Sequence, residues 1–502
     1  MIFLIAIAIL WFVVFTKKLF FWVYLWQLKE YHVGRFIDHF RTYKGKRLIL
    51  SYLLWIKILI LSAIFFSAKL SLAGIKPSLV YLVAAVFLVE ALFMLKNLWR
   101  RTLKKPVITR KTTVILSTSI SIQVLILFAL FILDLNITRF VFSLLFLDIL
   151  APVVFSALVL AYQPLAVLLR NQIVGEAKKK MALYPNLLVI GVTGSYGKTS
   201  TKEFLAAILS EKFRVLKTKE HQNSEIGISQ CILDELSSHH DIFIVEMGAY
   251  NKGGIKMLCN IVKPKIGVLT GINEQHMATF GSQENIVKTK YELIESLPHD
   301  GTAFFNAKNK YCLELFAKTI IKKKLYGEGA SSAFQENLAG ARAVAEFLGL
   351  SWEEIERGVK KIESAQASRV QKGVNGVALI DSTYSANPNG VLADLEELKR
   401  WPGQPFDKLR VKKIIVMPCL IELGKASKEV HQRIGRKVGE ICDLAIITTR
   451  DRFKEIKEGA PNALFMESAD EIAEKIKSFC KEGDIVLLES RVPGQLIKLL
   501  LK

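Results

Sequence analysis

Four stretches of this chain are nearly free of charge, and all lie in its first third. Residues 48–72 carry only Lys57 and Lys69, residues 78–95 only Glu90, residues 113–133 none, and residues 140–165 only Asp148. A helix needs about 20 apolar residues to cross a hydrocarbon core, and only a helix or a closed barrel satisfies its backbone there. The sequence therefore predicts an N-terminal helical transmembrane region over residues 1–170, partnered by a lipid bilayer. A further apolar segment, Met1–Thr16, stops at Lys17 and Lys18. It reads either as a tilted span with snorkelling lysines or as an interfacial helix, giving four or five spans. Phe20, Phe21, Trp22, Tyr24 and Trp26 follow and suit a belt at headgroup level.

The formal charge of +22 supports this organisation. Segments 17–47 and 96–111 and the stretch after Arg170 are rich in Lys and Arg, whereas 73–77 and 134–139 hold only Lys76 and Arg139 as basic residues. Such alternation places the rich segments, and everything after 170, on the cytoplasmic side of a multi-pass plasma (inner) membrane protein. Basic clusters beside apolar runs fit anionic headgroups, so nucleic acid is not an expected partner. Among the intramembrane acids, Asp134 is expected at the interface and Glu90 near the cytoplasmic end of its span. Asp148 remains as a functional or polar packing position.

Beyond residue 181 charged and apolar residues alternate as in a soluble protein. Six cysteines lie there, at 231, 259, 312, 419, 442 and 480, with no CxxC pair, and are expected to be reduced and buried. Strand-like apolar runs alternate with amphipathic patterns, predicting an α/β P-loop ATPase central domain (181–365) and an α/β doubly wound C-terminal domain (366–502). In the latter, strands are expected at 376–381, 412–417, 444–449 and 484–489, with helices at 389–400 and 469–480 and a hinge near 364–369.

The strongest chemical signal begins at Asn186. An apolar strand runs into Thr193-Gly194-Ser195-Tyr196-Gly197, then Lys198-Thr199-Ser200, then a helical pattern. Strand, glycine turn, Lys-Thr and helix form a phosphate cradle. Glycines let backbone N–H groups approach, Lys198 reaches the terminal phosphates, and Thr199 offers a hydroxyl to Mg²⁺. The spacing is TGxxGKTS, shorter than GxxxxGK[ST]. Glu246 closes the next apolar strand, where a second anchor for the metal is expected.

Several segments together resemble the Mur ligases: GVTGSYGKTSTKE, HQNSEIG, IVEMGA, NEQHMATFGS and VKTKYELIESL, then LIDSTYSANPNGVLADLEEL, IELGKASKEVHQRIG and GDIVLLESR. The likeness covers about 181–502 and is strongest to the branch that adds D-alanyl-D-alanine to a UDP-linked muramoyl tripeptide. It implies a ligase that phosphorylates a carboxylate with ATP and Mg²⁺, after which an amine displaces phosphate. By motif position it makes Glu246, His276 and Lys290 metal ligands with Thr199, Lys290 being carbamylated by CO₂. Lys198, Lys290 and His276 become the catalytic set. It also implies that Asn223 and Asn387 lie on the substrate side, and that Asn306, Arg369, Asp381 and Tyr384 lie around the nucleotide. Read without the resemblance, Lys290 is a helix lysine, His276 a loop histidine, and Asn387-Pro388 a turn opening a helix.

The chain departs from that family in four places. Apolar spans stand where a UDP-gripping domain is expected, which suggests a lipid-linked, muropeptide-like carboxylate and an amino-acid or dipeptide amine as substrates. Segment 327–337 is short, with Ala333 and Phe334 where a His-Asn pair is expected near the base. Lys308 replaces a common acid, and Met417-Pro418-Cys419-Leu420 replaces a glycine-aspartate pair. Two other functional classes fit the sequence less well. A P-loop ATPase-driven transporter lacks a dimer-signature helix here, and a non-catalytic scaffold has no need of intact phosphate and metal positions.

Overall fold

The charge-poor stretches become long helices. In a computed structural model the described residues are 2–69, 76–100, 102–133, 136–219, 222–367, 370–383, 387–401 and 411–501. They form two compact units, 1–170 and 171–502. Asp134, Arg369 and Tyr384 lie outside the described residues.

Among the described residues of the first unit, five helical runs are long and apolar enough to cross a membrane: Ile2–Leu28, Tyr43–Ser67, Ser78–Trp99, Arg110–Ile132 and Ile137–Ala182, the last reaching beyond the unit boundary. The first is long enough for the span that is one of the two readings of the N-terminal segment. The helix does not stop at Lys17-Lys18 but runs 27 residues to Leu28. Lys18 neither ends nor snorkels out of it, because its Nζ donates to Asp148 Oδ2 at 2.7 Å. Two of the expected belt residues also turn inward. Trp22 and Trp26 are buried; Trp26 stacks on Phe36 with centroids 3.9 Å apart, and its Nε1 donates to Ser156 Oγ at 3.0 Å. Buried indoles usually find such a partner for their one polar atom.

Glu90 and Asp148 are not surface acids. Both are buried and share Lys57, itself 1 % exposed; Lys57 Nζ lies 2.6 Å from Asp148 Oδ2 and also pairs with Glu90. Four helices thus converge on a charge-balanced cluster of two lysines and two acids.

The second unit holds two six-stranded sheets. The first comprises β1 (Leu188–Thr193), β2 (Val215–Lys217), β3 (Ile242–Glu246), β4 (Ile266–Leu269), β5 (Thr302–Asn306) and β6 (Lys322–Tyr326), all parallel, in the order β2-β3-β1-β4-β5-β6. Neighbouring residues on a strand face opposite layers. Phe243 and Val245 join the core that includes Leu293, Ile286 and Leu258, while Ile242 and Ile244 join Leu205, Ile208 and Val344 on the other face. Burial on both faces explains why these strands read as continuous apolar runs. The chain leaves β1 toward β2 on one side and later takes up β4 on the other. The crevice at the carboxyl ends of β1 and β4 is the kind of place where such sheets take ligands.

The second sheet comprises β7 (Val370–Lys372), β8 (Ala378–Ser382), β9 (Lys413–Met417), β10 (Leu444–Ile447), β11 (Ala463–Phe465) and β12 (Ile485–Glu489), ordered β11-β10-β9-β12-β8-β7. Only β7 is antiparallel to its neighbour. The four expected strands are present, and the helices Pro388–Arg400 and Ala469–Phe479 fall where periodicity placed them. The short edge strands β7 and β11 escaped the sequence reading, since three residues carry too little pattern. All six cysteines are free and buried.

Candidate active site

The phosphate loop follows from what glycine permits. Gly194 has φ +155°, and a Cβ there would sit 2.2 Å from Thr270 Oγ1; Gly197 has φ +77°, and a Cβ would meet Asn337 Oδ1 at 2.4 Å. Both positions therefore need glycine. Gly197 is the N-cap of the helix Lys198–Leu209 and provides no side-chain cap. Its first N–H groups, with the positive end of the helix dipole, face the loop as an anion site. Thr193 anchors the strand end through its hydroxyl to Met247 O at 2.9 Å, and the Ser195 N–H donates to Gly271 O at 2.6 Å. Tyr196 OH accepts from Asn309 Nδ2 at 3.3 Å. Ser200 lies in the first turn of the helix.

Lys198 curls back over the loop, its Nζ donating to Gly194 O at 2.9 Å. Burial pushes its ammonium below the usual lysine range, and Glu246 opposes this. Glu246 sits at the end of β3, 5 % exposed. Its Oε2 accepts from Thr199 Oγ1 at 2.9 Å and its Oε1 from Asn223 Nδ2 at 3.0 Å. Burial works to raise its carboxyl, but Lys198, Asn223, Lys202 and Thr199 hold it below the ordinary value. Lys202, one turn on from Lys198, was not singled out by the sequence. It is fully buried, its Nζ 3.5 Å from Glu246 Oε2 and 3.2 Å from Glu203 Oε1.

Lys290 projects from the helix Gln283–Glu295 and is 3 % exposed. Burial, then the charge of Lys198, push its ammonium down to about 7, against the pull of Glu292 and Glu246. His276 caps the short helix Met277–Phe280 with φ 64° and ψ 18°. Its ring stands edge-on to Tyr250, centroids 4.8 Å apart, and its Nδ1 lies 2.7 Å from Glu422 Oε2. Burial lowers the histidine, against the pull of Glu422, and both Lys290 and Lys198 push it further down. Lys198 and Lys290 thus lie within electrostatic reach of each other and of both Glu246 and His276.

The other expected positions are engaged within the fold. Asn306 Nδ2 donates to Thr270 O at 2.7 Å and to Glu336 Oε2 at 2.9 Å, tying the ends of β4 and β5 to the helix Ala333–Phe347. Asp381 Oδ1 accepts from the Thr383 N–H and hydroxyl at 3.0 and 2.7 Å. Asn387 caps the helix Pro388–Arg400, its Oδ1 accepting from the Gly390 N–H at 2.8 Å. Its neighbour Asn389, unremarked in the sequence, accepts from Asn273 Nδ2 at 2.8 Å across the two α/β domains. In the shortened segment, Ser332 caps the helix from Ala333, and Phe334 packs on Phe204. Asn337 lies against the phosphate loop, accepting from Thr201 Oγ1 at 3.3 Å.

Among the described residues no group of three His, Cys, Asp or Glu side chains could hold a metal unaided. The set fits a magnesium ion that arrives with phosphate. Mg²⁺ is held by one or two carboxylates with waters and substrate oxygens rather than by an all-protein cage. Glu246 and the Thr199 hydroxyl, 2.9 Å apart beside the phosphate cradle, are oxygens of the kind that suit a nucleotide–magnesium pair.

Comparisons with known proteins agree with this geometry. Residues 192–362 match the Mur ligase middle domain and residues 368–491 the Mur ligase glutamate ligase domain. A UDP-N-acetylmuramoyl-tripeptide–D-alanyl-D-alanine ligase of Synechocystis is 34% identical over 276 residues, covering 50% of this chain and 59% of that protein. The enzyme of the same name from Bacillus subtilis is 25% identical over 341 residues, 60% of this chain and 72% of the other. This chain therefore spans little more than half the length of the Synechocystis relative. Among solved structures, MurF from Acinetobacter baumannii superposes with a TM-score of 0.57 at 24% identity, covering 64% of this chain and 77% of that one. MurF from Thermotoga maritima in complex with ADP gives 0.55 at 23%, covering 66% and 83%; at that identity the likeness shows the fold. With two adjoining domain matches over more than half its length, the chain belongs to the Mur ligase family.

Proposed function

We propose that this protein is a membrane-anchored, ATP-dependent ligase that joins an amine to a muropeptide-like carboxylate in cell-wall synthesis. The observation that supports the proposal is a glycine cradle at which Lys198, Thr199 and Glu246 come together, with His276 and Lys290 near enough to feel the charge of Lys198. A carboxylate is a poor electrophile. Transfer of the terminal phosphoryl group of ATP to a carboxylate oxygen leaves ADP and an acyl phosphate with a good leaving group. A neutral amine then attacks the acyl carbon, phosphate departs, and the nitrogen loses a proton.

In this reading the backbone N–H groups at 194–199 and the Lys198 ammonium hold the phosphates and the charge that builds on them. Bound magnesium supplies Lewis-acid stabilisation of the transferring phosphoryl. Glu246, the Thr199 hydroxyl and His276 would hold it, and Asn223 and Lys202 keep the Glu246 carboxylate ionised and aimed. A lysine ammonium beside that cation would repel it. A buried Lys290, pushed down to about 7, is about half in the free-amine form near neutrality, and that amine can react with CO₂ to give an anionic carbamate and a proton. Asp381 and Asn306 act in this scheme by shaping the walls around the nucleotide, Asn387 stands on the substrate side, and Arg369 and Tyr384 are proposed to close over the nucleotide.

The apolar helices preceding residue 171 support attachment to the bilayer, and the basic segments support a cytoplasmic catalytic half. With this helical unit ahead of the matched domains, we propose that the acceptor is lipid-linked and the amine D-Ala-D-Ala or an amino acid. Purified protein in lipid nanodiscs, given ATP, Mg²⁺ and candidate amines, should release phosphate only when both substrates are present. Mass spectrometry should find the amide on a polyprenyl-linked muropeptide. Clear preference for the UDP-linked form would overturn the lipid assignment, and release independent of any amine would overturn the ligase.

A further inference from the structure

His276 comes from the central domain, but what fixes its ring comes from the C-terminal one. Glu422, in the turn after β9, is 7 % exposed and points its Oε2 at His276 Nδ1, 2.7 Å away. An ionised carboxylate only accepts, so Nδ1 carries the proton and Nε2 keeps its lone pair. Both residues have left-handed backbones, φ 64° at His276 and φ 65° at Glu422. Non-glycine residues seldom adopt that conformation, and two meeting across a domain boundary are held by their surroundings.

The surroundings are specific. The Ala278 N–H donates to Glu422 O at 3.0 Å. A Cβ on Gly424 would come within 3.1 Å of Ala278 N, so the two turns lie in direct contact. Arg433 reaches Glu274 at 3.6 Å, and Asn273 bonds Asn389. The segment 273–278 is thus clasped by the C-terminal domain on both sides of His276. Resting on the ligase reading, we infer that Glu422 is a positioning residue that couples closure of the C-terminal domain to the metal site. Docking of the domain sets the His276 tautomer and ring plane, and leaves the Nε2 lone pair to a cation that would bind there. A carboxylate behind a ligating imidazole also raises its basicity, and loss of such a partner costs about 10–100-fold in metal affinity.

The test uses the full chain in nanodiscs with Mn²⁺ and a non-hydrolysable ATP analogue. Electron paramagnetic resonance reads Mn²⁺ affinity, and spin-echo modulation reads ¹⁴N coupling from a ligating imidazole. The parent should show the coupling. Glu422→Ala should lose most of it and bind Mn²⁺ about tenfold or more weakly, with Glu422→Asp partly restoring both. Arg433→Ala removes a clasp contact without touching the imidazole and should keep the coupling. Unchanged coupling and affinity in Glu422→Ala, or equal loss in Arg433→Ala, would overturn the inference. A parent that binds no Mn²⁺–nucleotide would instead overturn the ligase reading itself.

Discussion

The two units bury charge in opposite ways. In the helical unit, Lys18 and Lys57 are matched by Asp148 and Glu90, all drawn into one cluster. In the α/β unit, Lys198, Lys202 and Lys290 gather around one buried acid, Glu246, with the part-exposed Glu203 beside Lys202. A balanced cluster satisfies itself and holds helices together. An unbalanced one is costly in the free protein and gains when an anion arrives, because desolvated like charges repel. The first pattern is that of a scaffold and the second that of a phosphate site.

The largest expected effect follows from the second pattern. Lys198→Ala should lower amine-dependent phosphate release by about 10³-fold or more, since it removes a charge aimed at the transferring group. Thermal unfolding of the α/β unit should stay within about 1 kcal/mol of the parent or rise, because a surplus buried cation has gone. A large loss of stability would place Lys198 with the scaffold charges and break the contrast.

Next comes the scaffold cluster. Asp148→Ala leaves Lys18 without its carboxylate and Lys57 with Glu90 alone. Removing one partner of a buried ion pair costs about 3–5 kcal/mol. Denaturant unfolding in detergent should show that loss in the helical signal, while ATP-analogue binding by the folded fraction stays unchanged. A stable Asp148→Ala protein that no longer acts on lipid-linked acceptor would move the cluster from scaffold to function.

Lys290 tests the same idea through pH. Its ammonium is near 10.4 in an unfolded chain and is pushed down to about 7 in the fold. Between those values the unfolded chain binds more protons, so stability rises as pH rises from 7 toward 10; below 7 the penalty is complete. In CO₂-free buffer, Lys290→Met should be more stable than the parent at pH 7 by roughly 2–4 kcal/mol, and the gap should close by pH 10. A flat difference across that range, followed by urea denaturation, would refute the surplus-charge account.

Much of this was legible in the sequence. The cradle announced itself because strand, glycines and Lys-Thr are contiguous, and β9, β10 and β12 because four buried apolar residues in a row leave little choice. Partnerships across long separations were not legible. Lys57 read as one charge in an apolar run, although Asp148, 91 residues on, fixes its role. Glu422 sat inside a family-like segment, yet its partner His276 lies 146 residues earlier. Trp22 and Trp26 looked interfacial because composition sees an indole but not the Phe36 that stacks on one of them. Local motifs are fixed by backbone chemistry within a few residues, whereas ion pairs depend on which helices meet.

Asn387 gives the smallest effect and the sharpest division between the two uses of a polar group. Its side chain caps a helix through the Gly390 N–H, and Pro388 at the first turn completes the start of that helix. If its work lies in the fold, any good cap should serve. Asn387→Ser should keep both stability and phosphate release near the parent, while Asn387→Ala should cost about 1 kcal/mol. If the amide is instead reserved for substrate, Asn387→Ser should unfold like the parent yet show a raised KM for the amine or the acceptor. Steady-state kinetics beside a melting curve separate the two, because a cap acts on the helix whether or not substrate is present and a substrate contact acts only when it is.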